Sequence, residues 1–230
     1  MQSIVLKDMP VTLPLRELAT RLRVREGSWQ WSDLERMVSS AEAVASPKAL
    51  CGVAYIEDRT ENSVVIDGID FSSRILAVNL APVNRVFPYI ATCGTELDEW
   101  AKQFDDLLER FWSEAIREAA MRVAFTAVDR YLESEYGVVE TSRMNPGSLA
   151  DWPIQEQVPL FQMLGYTEGQ VGVRLTDSYL MLPTKSVSGI RFTAASDWEN
   201  CMLCPRPVCP NRRARYDPTL FSERFEPHAP

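Results

Sequence analysis

Residues 95–136 read TELDEWAKQFDDLLERFWSEAIREAAMRVAFTAVDRYLESEY, and this stretch decides the kind of fold. Leu97, Trp100, Phe104, Leu108, Phe111 and Ala115 recur at helical spacing, which lays an apolar stripe along one face. Acidic residues fill the opposite face of the first half. In the second half Ala119, Ala120, Ala124 and Ala127 are small enough to let another backbone approach closely. Gly137 follows, a residue that ends helices in the left-handed conformation. The pattern predicts one continuous core helix over 95–136.

Toward the N-terminus the periodicity changes. Short β-type runs occupy Gly52–Ile56, Ser63–Ile66, Arg74–Leu80 and Val86–Thr92, and Asp67–Gly68 suits a tight turn between two of them. Before these runs, Leu15, Leu18, Ala19 and Leu22 keep helical spacing. Ser32 and Glu35 form a capping box for a helix over roughly 33–45 that Pro47 stops. Residues 1–45 therefore read as an N-terminal helical appendage, and 46–230 as the main domain. On the other side of the long helix, Arg143–Gly147 is turn-rich. A short helix follows over 154–164, then β-type runs at Val171–Leu175, Ser178–Leu182 and Ser186–Phe192. The tail from Asp197 to Pro230 is irregular and rich in Pro, Arg and Cys.

A composition of 46% hydrophobic and 24% charged residues is that of a soluble globular protein. The net charge of −8 argues against nucleic acid as the main partner, because phosphate binding needs a basic face. Met1–Met9 lacks a basic start followed by an apolar run, and no segment reaches the ~20 apolar residues of a membrane span. The expectation is a cytoplasmic protein with no membrane partner. In a reducing cytosol, clustered cysteines read as metal ligands or redox centres.

Three of the five cysteines are clustered, as Cys201-x2-Cys204-x4-Cys209. A short loop gathers thiolates at low entropic cost, and thiolates are the preferred ligands of zinc and of iron–sulfur clusters. Pro205 and Pro210 each follow a cysteine and stiffen the loop. Three thiols leave a fourth position, for which Cys93, Cys51, His228 or an exogenous ligand are the candidates. Cys93 is preferred, because it sits in Ala91–Gly94 just before the long helix, whose first amides favour a thiolate. Cys51 reads equally as a buried apolar residue, and His228 is the third residue from the end of the sequence. Arg206, Arg212, Arg213 and Arg215 surround the thiols with positive charge. Spacing alone leaves zinc and iron–sulfur both open.

Three stretches resemble a known family: Arg143–Gly147 (RMNPG), Leu175–Pro183 (LTDSYLMLP) and Ser186–Ile190 (SVSGI). They are similar to the activation domain of cobalamin-dependent methionine synthase, over about residues 63–200. Asn145–Leu149, Trp152–Gln157 and Cys209–Ala214 are similar to free-standing, cysteine-rich versions of that domain. The resemblance implies an α+β fold, with a twisted antiparallel sheet flanked by the long helix. It also implies that Arg143 contacts the carboxylate of S-adenosylmethionine, with Gly147 in the backbone turn. Asp177, Ser178 and Lys185 are secondary candidates for lining a pocket. Two departures stand out: Ser148 replaces an aromatic residue after Pro–Gly, and the acidic residue that the family uses on the ligand amine has no counterpart.

The function implied is an iron–sulfur redox protein for corrinoid methyl transfer. Cys201, Cys204, Cys209 and Cys93 would hold a 4Fe-4S cluster that supports reduction of cob(II)alamin to cob(I)alamin. The chain would thus act as a reductive activase or electron-transfer partner. The cobalamin would sit on the partner, a methionine synthase or methyltransferase, with a ferredoxin or flavodoxin as electron donor. The alternative is a non-catalytic, zinc-stapled module that binds a corrinoid protein or S-adenosylmethionine.

Overall fold

A computed structural model describes residues 1–193, 198–209 and 211–226. Pro210 and His228 lie outside the described residues. The chain opens with a strand, β1 (Gln2–Leu6), followed by helices α1 (Leu15–Leu22) and α2 (Trp29–Val44). Strands β2 (Lys48–Arg59), β3 (Ser63–Ile66) and β4 (Ile69–Ser72) precede α3 (Arg74–Leu80) and β5 (Arg85–Thr92). Then come α4 (Thr95–Trp100), the long α5 (Leu107–Tyr136) and β6 (Ser142–Met144). The last part holds α6 (Gln157–Leu164), α7 (Thr167–Val171), the short pair β7 (Arg174–Leu175) and β8 (Met181–Leu182), β9 (Ser186–Phe192) and α8 (Leu220–Arg224).

The expected α+β fold is present, and every strand pairing is antiparallel. The main sheet runs β4-β3-β2-β5-β9-β6, with β1 and β3 sharing one edge of the long β2. Strand alternation sorts the side chains onto two faces. Ala49, Cys51, Phe87 and Tyr89 meet Ala124, Val128 and Leu132 of α5, a seam repeating every four residues along the helix. Leu50, Val86, Ile90, Ile190 and Phe192 point the other way, into a core with α3, α6, Trp152 and Trp198. A third cluster joins α1, α2 and α4 to the first half of α5 through Leu34, Met37, Leu97, Trp112 and Ile116. Fully burying a Leu, Ile or Val in such clusters contributes about 1.5–3 kcal/mol.

Three local expectations are corrected. The helix expected over 95–136 is interrupted after Trp100. Phe104 is extended and packs its ring edge-to-face against Trp100, and the Asp106 side chain accepts from the Leu108 and Glu109 amides, capping a fresh start for α5. Arg74–Leu80, expected as a strand, is helical: Ser73 caps it by accepting from the Leu76 amide, and the Ser73 hydroxyl itself donates to Asp151. A short apolar run without alternation fits a buried helix as well as a strand, and the cap decides. The expected Ser32 cap is replaced by Ser28, which accepts from the Trp31 amide. Gly137 ends α5 at φ 64°, with its own amide bonded to Glu133 O and that of Val138 to Leu132 O. Asp67 and Gly68 both take positive φ in the β3–β4 turn.

Candidate functional site

Between the second half of α5, the sheet and the tail lies a cavity of about 410 Å³. Strand register supplies its floor. Tyr89, Val187 and Arg143 occupy alternate positions of β5, β9 and β6 that point toward α5, and Tyr89 is paired directly with Gly189. Phe125, Arg122, Met121 and Glu118 line it from α5, and Asn211, Arg212 and Arg213 close it from the tail. At Gly189 a Cβ would stand 2.4 Å from Met144 O and 2.5 Å from Asn145 Nδ2. Only glycine leaves room there for the Asn145 amide.

Asn145 turns into the cavity at the end of β6. Its Nδ2 donates to Tyr89 Oη at 2.9 Å and to Ser188 O at 2.7 Å. Because a backbone carbonyl only accepts, the second bond fixes which way the amide faces. Oδ1 accepts nothing from the described residues and is free for a ligand donor. Gly147 sits one turn further on at φ 82°, in an exposed loop against Ile154, and is not among the residues that line the cavity.

Arginines dominate the charge of the cavity. Arg143 and Arg191 are paired across β6 and β9, and their guanidinium carbons lie 4.7 and 4.3 Å from the centroid of the Phe125 ring. Arg191 is 2% exposed, bonds Asp129 through Nη1, and has Nε and Nη2 without partners among the described residues. Burial lowers the pKa of Arg143, and Arg213 lowers it further. Arg213 holds Glu199 at 2.5 Å. Arg212 donates to the carbonyls of Cys201, Ala214, Cys204 and Arg206, so it fastens the cysteine loop to the cavity rim. Glu118 accepts from Arg21 at 2.7 Å and Arg122 at 2.9 Å. Burial works against its ionisation, but the two arginines outweigh burial and hold its pKa at about 2.

The cysteines divide into two kinds. Cys201, Cys204 and Cys209 are half-buried on the tail loop. Cys51 and Cys93 are fully buried, and burial foremost pushes both thiols up to about 12. Cys51 lies beneath α5, whereas Cys93 packs among α2, α4 and α5 with Sγ 3.4 Å from Gly94 O. Phe87 of β5 faces Arg191 while Thr92 faces Ser186, so Cys93 lies about 20 Å of strand away from the level of Arg143. Cys201, by contrast, is close enough to Arg143 to bear on its charge. Among the described residues no three Cys, His, Asp or Glu side chains converge as metal ligands. As arranged, the residues present do not close around a cluster.

The remaining expected residues lie elsewhere. Asp177 and Ser178 are exposed at the tip between β7 and β8, and Lys185 pairs with Glu114 at 2.8 Å. Arg206 and Arg215 are exposed on the tail, while Trp152 and Trp198 are core residues. Sequence reasoning overlooked Asn145, Phe125 and Arg191. A signal existed for Arg191: Val187, Gly189 and Arg191 alternate along β9, which places an arginine on a buried face.

Residues 126–198 match the model of a family described as vitamin B12 dependent methionine synthase, activation domain. That span carries the end of α5, β6, the Asn145 turn and β9. The chain is also similar to the crystal structure of the MetH reactivation domain bound to AdoHcy, with a TM-score of 0.59 and 16% identity. The match covers 86% of this chain and 81% of that one, and at such identity it shows the fold. A search of the curated proteins finds no match. The resemblance to the activation-domain family read from the motifs therefore holds. No helix among the described residues is long and apolar enough to cross a membrane.

Proposed function

Proceeding from an activation-domain fold and that family's match over residues 126–198, we propose that this chain serves the reactivation of a corrinoid protein and binds an S-adenosyl ligand in the Arg143 cavity. The observation that carries the reading is the Arg143–Asn145 corner: the family-like motif opens into a cavity of small-molecule size. The Arg143 fork suits the ligand carboxylate, and the free Oδ1 of Asn145 accepts one of its N–H groups. Gly147 shapes the turn that begins at Asn145. The partner is a methionine synthase or other corrinoid methyltransferase, which brings the cobalamin.

The redox part of the proposal rests on the spacing of Cys201, Cys204 and Cys209. An iron–sulfur cluster bound there would supply low-potential electrons, with a ferredoxin or flavodoxin as donor. Cys93 as fourth ligand requires it to leave its apolar cluster. The test is calorimetry with S-adenosylhomocysteine on the wild type and on Arg143→Gln. Binding weakened at least about tenfold in the variant supports the site, since one charge-assisted hydrogen bond contributes about 1.5–3 kcal/mol. No heat with the wild type overturns it. Iron, sulfide and zinc analysis of anaerobically purified protein decides the metal: iron with sulfide supports the cluster, and zinc alone overturns it.

A further inference from the structure

We propose that Phe125 is the positioning residue of the cavity: its ring fixes the Arg143 guanidinium where that group receives the ligand carboxylate. The inference deepens the S-adenosyl reading above and rests on it.

Of the four arginines that line the cavity, three are already committed. Arg122 donates to Glu118 and to Asn211, both at 2.9 Å. Arg212 donates to carbonyls of the tail, and Arg213 is paired with Glu199. The Arg143 side chain has no hydrogen-bond or ion-pair partner among the described residues. What holds it is the face of the Phe125 ring, whose centroid lies 4.7 Å from the guanidinium carbon. A cation–π contact uses the charge of the guanidinium and none of its N–H donors, so the whole fork stays available to a carboxylate. Without that support a long side chain would give up its rotamer freedom only on binding, at a cost to affinity.

The ring is itself held in place. Arg191, 2% exposed and cross-strand from Arg143, lies 4.3 Å from its centroid. Tyr89 meets it edge-to-face at 5.7 Å, and the Tyr89 hydroxyl accepts from the Asn145 amide. Ala124, fully buried beside it in the chain, lets α5 lie close enough to the sheet for the ring to reach both arginines. Phe125 thus connects the two groups assigned to the ligand, Arg143 directly and Asn145 through Tyr89.

The test is a double-mutant cycle on the full chain, read by calorimetry with S-adenosylhomocysteine: wild type, Phe125→Leu, Arg143→Gln and the two combined. Leucine keeps the site apolar and removes the aromatic face. Binding is expected to be about five- to tenfold weaker in Phe125→Leu and close to the wild type in Phe125→Tyr. The combined variant should bind no more weakly than Arg143→Gln alone, because Phe125 acts through Arg143. 5′-Methylthioadenosine, which keeps the adenosine and the thioether but lacks the carboxylate, should bind equally to the wild type and to Phe125→Leu. Thermal unfolding checks that each variant is folded, and Phe125→Met takes the place of a Phe125→Leu that is not. Unchanged affinity in Phe125→Leu, losses that simply add in the combined variant, or an equal loss for 5′-methylthioadenosine overturns the positioning role and leaves the binding site standing. No binding of S-adenosylhomocysteine to the wild type overturns this inference together with the functional reading it rests on.

Discussion

Arg143 and Arg191 are cross-strand partners that share the Phe125 ring. Like charges directly opposed on one sheet face repel. Here the ring separates the pair from the α5 side, and Asp129 neutralises only the more deeply buried member. The result is an arginine kept inside the protein by one carboxylate that is itself 46% exposed.

That asymmetry predicts unequal effects for the two halves of the ion pair. Asp129→Asn leaves a buried cation without its counter-charge and should lower stability by about 1–3 kcal/mol. Arg191→Met removes the cation and leaves a carboxylate that water can solvate, so it should stay within about 1 kcal/mol of the wild type. Urea unfolding of both variants checks the difference. Equal losses would mean that Arg191 contributes something other than this charge pair.

Gly189→Ala should cost about 1–3 kcal/mol, because the new methyl meets the Met144 carbonyl and the Asn145 amide well inside contact distance. Displacing Asn145 also removes the group proposed to hold the ligand. The measurement is ligand binding beside thermal unfolding. Normal affinity in a folded variant would exclude Asn145 from the site.

Acidification should loosen the link between α1 and α5. Glu118 titrates at about 2 in the folded protein against 4.5 for an ordinary glutamate. Its contribution to stability is therefore complete above pH 4.5 and is lost as the pH falls toward 2. Glu118→Gln should show a shallower loss of stability across that window. Identical acid limbs would show that the Arg21 and Arg122 bonds contribute nothing.

Thiol labelling should separate the cysteines. Cys201, Cys204 and Cys209 should react readily in the native, metal-free protein, while Cys51 and Cys93 should react only after unfolding. Reconstitution with iron and sulfide should protect the three tail thiols. Rapid native labelling of Cys93 would contradict its burial.

The sequence made legible whatever depends on strong local periodicity. The α5 pattern, the β9 run, the Asp67–Gly68 turn and the Gly137 stop all follow from spacing and turn chemistry. The interruption before α5 was harder to see, because Phe104 is apolar and in phase; only the Asp106 cap reveals that the helix restarts. Arg74–Leu80 lacks alternation, so burial on several sides hid its helical state. Within the site, the motif gave Arg143. Asn145 acquires a role only when Gly189, 44 residues later in the chain, makes room for it, and such a pairing has no signature in local sequence. Cys93 looked suited to a thiolate because a helix starts beside it, yet long-range packing of α2 and α5 seals it in apolar surroundings.

The cavity takes its walls from α5, from three strands and from residues 211–213, which come last of all in chain order. During synthesis the helix, sheet and floor can therefore fold before the segment that closes the roof has emerged. A ribosome-bound chain lacking that segment would present an open groove in which Arg143 and Asn145 face solvent. Competence to retain a ligand is thus delayed until residues 211–213 have been made and folded back.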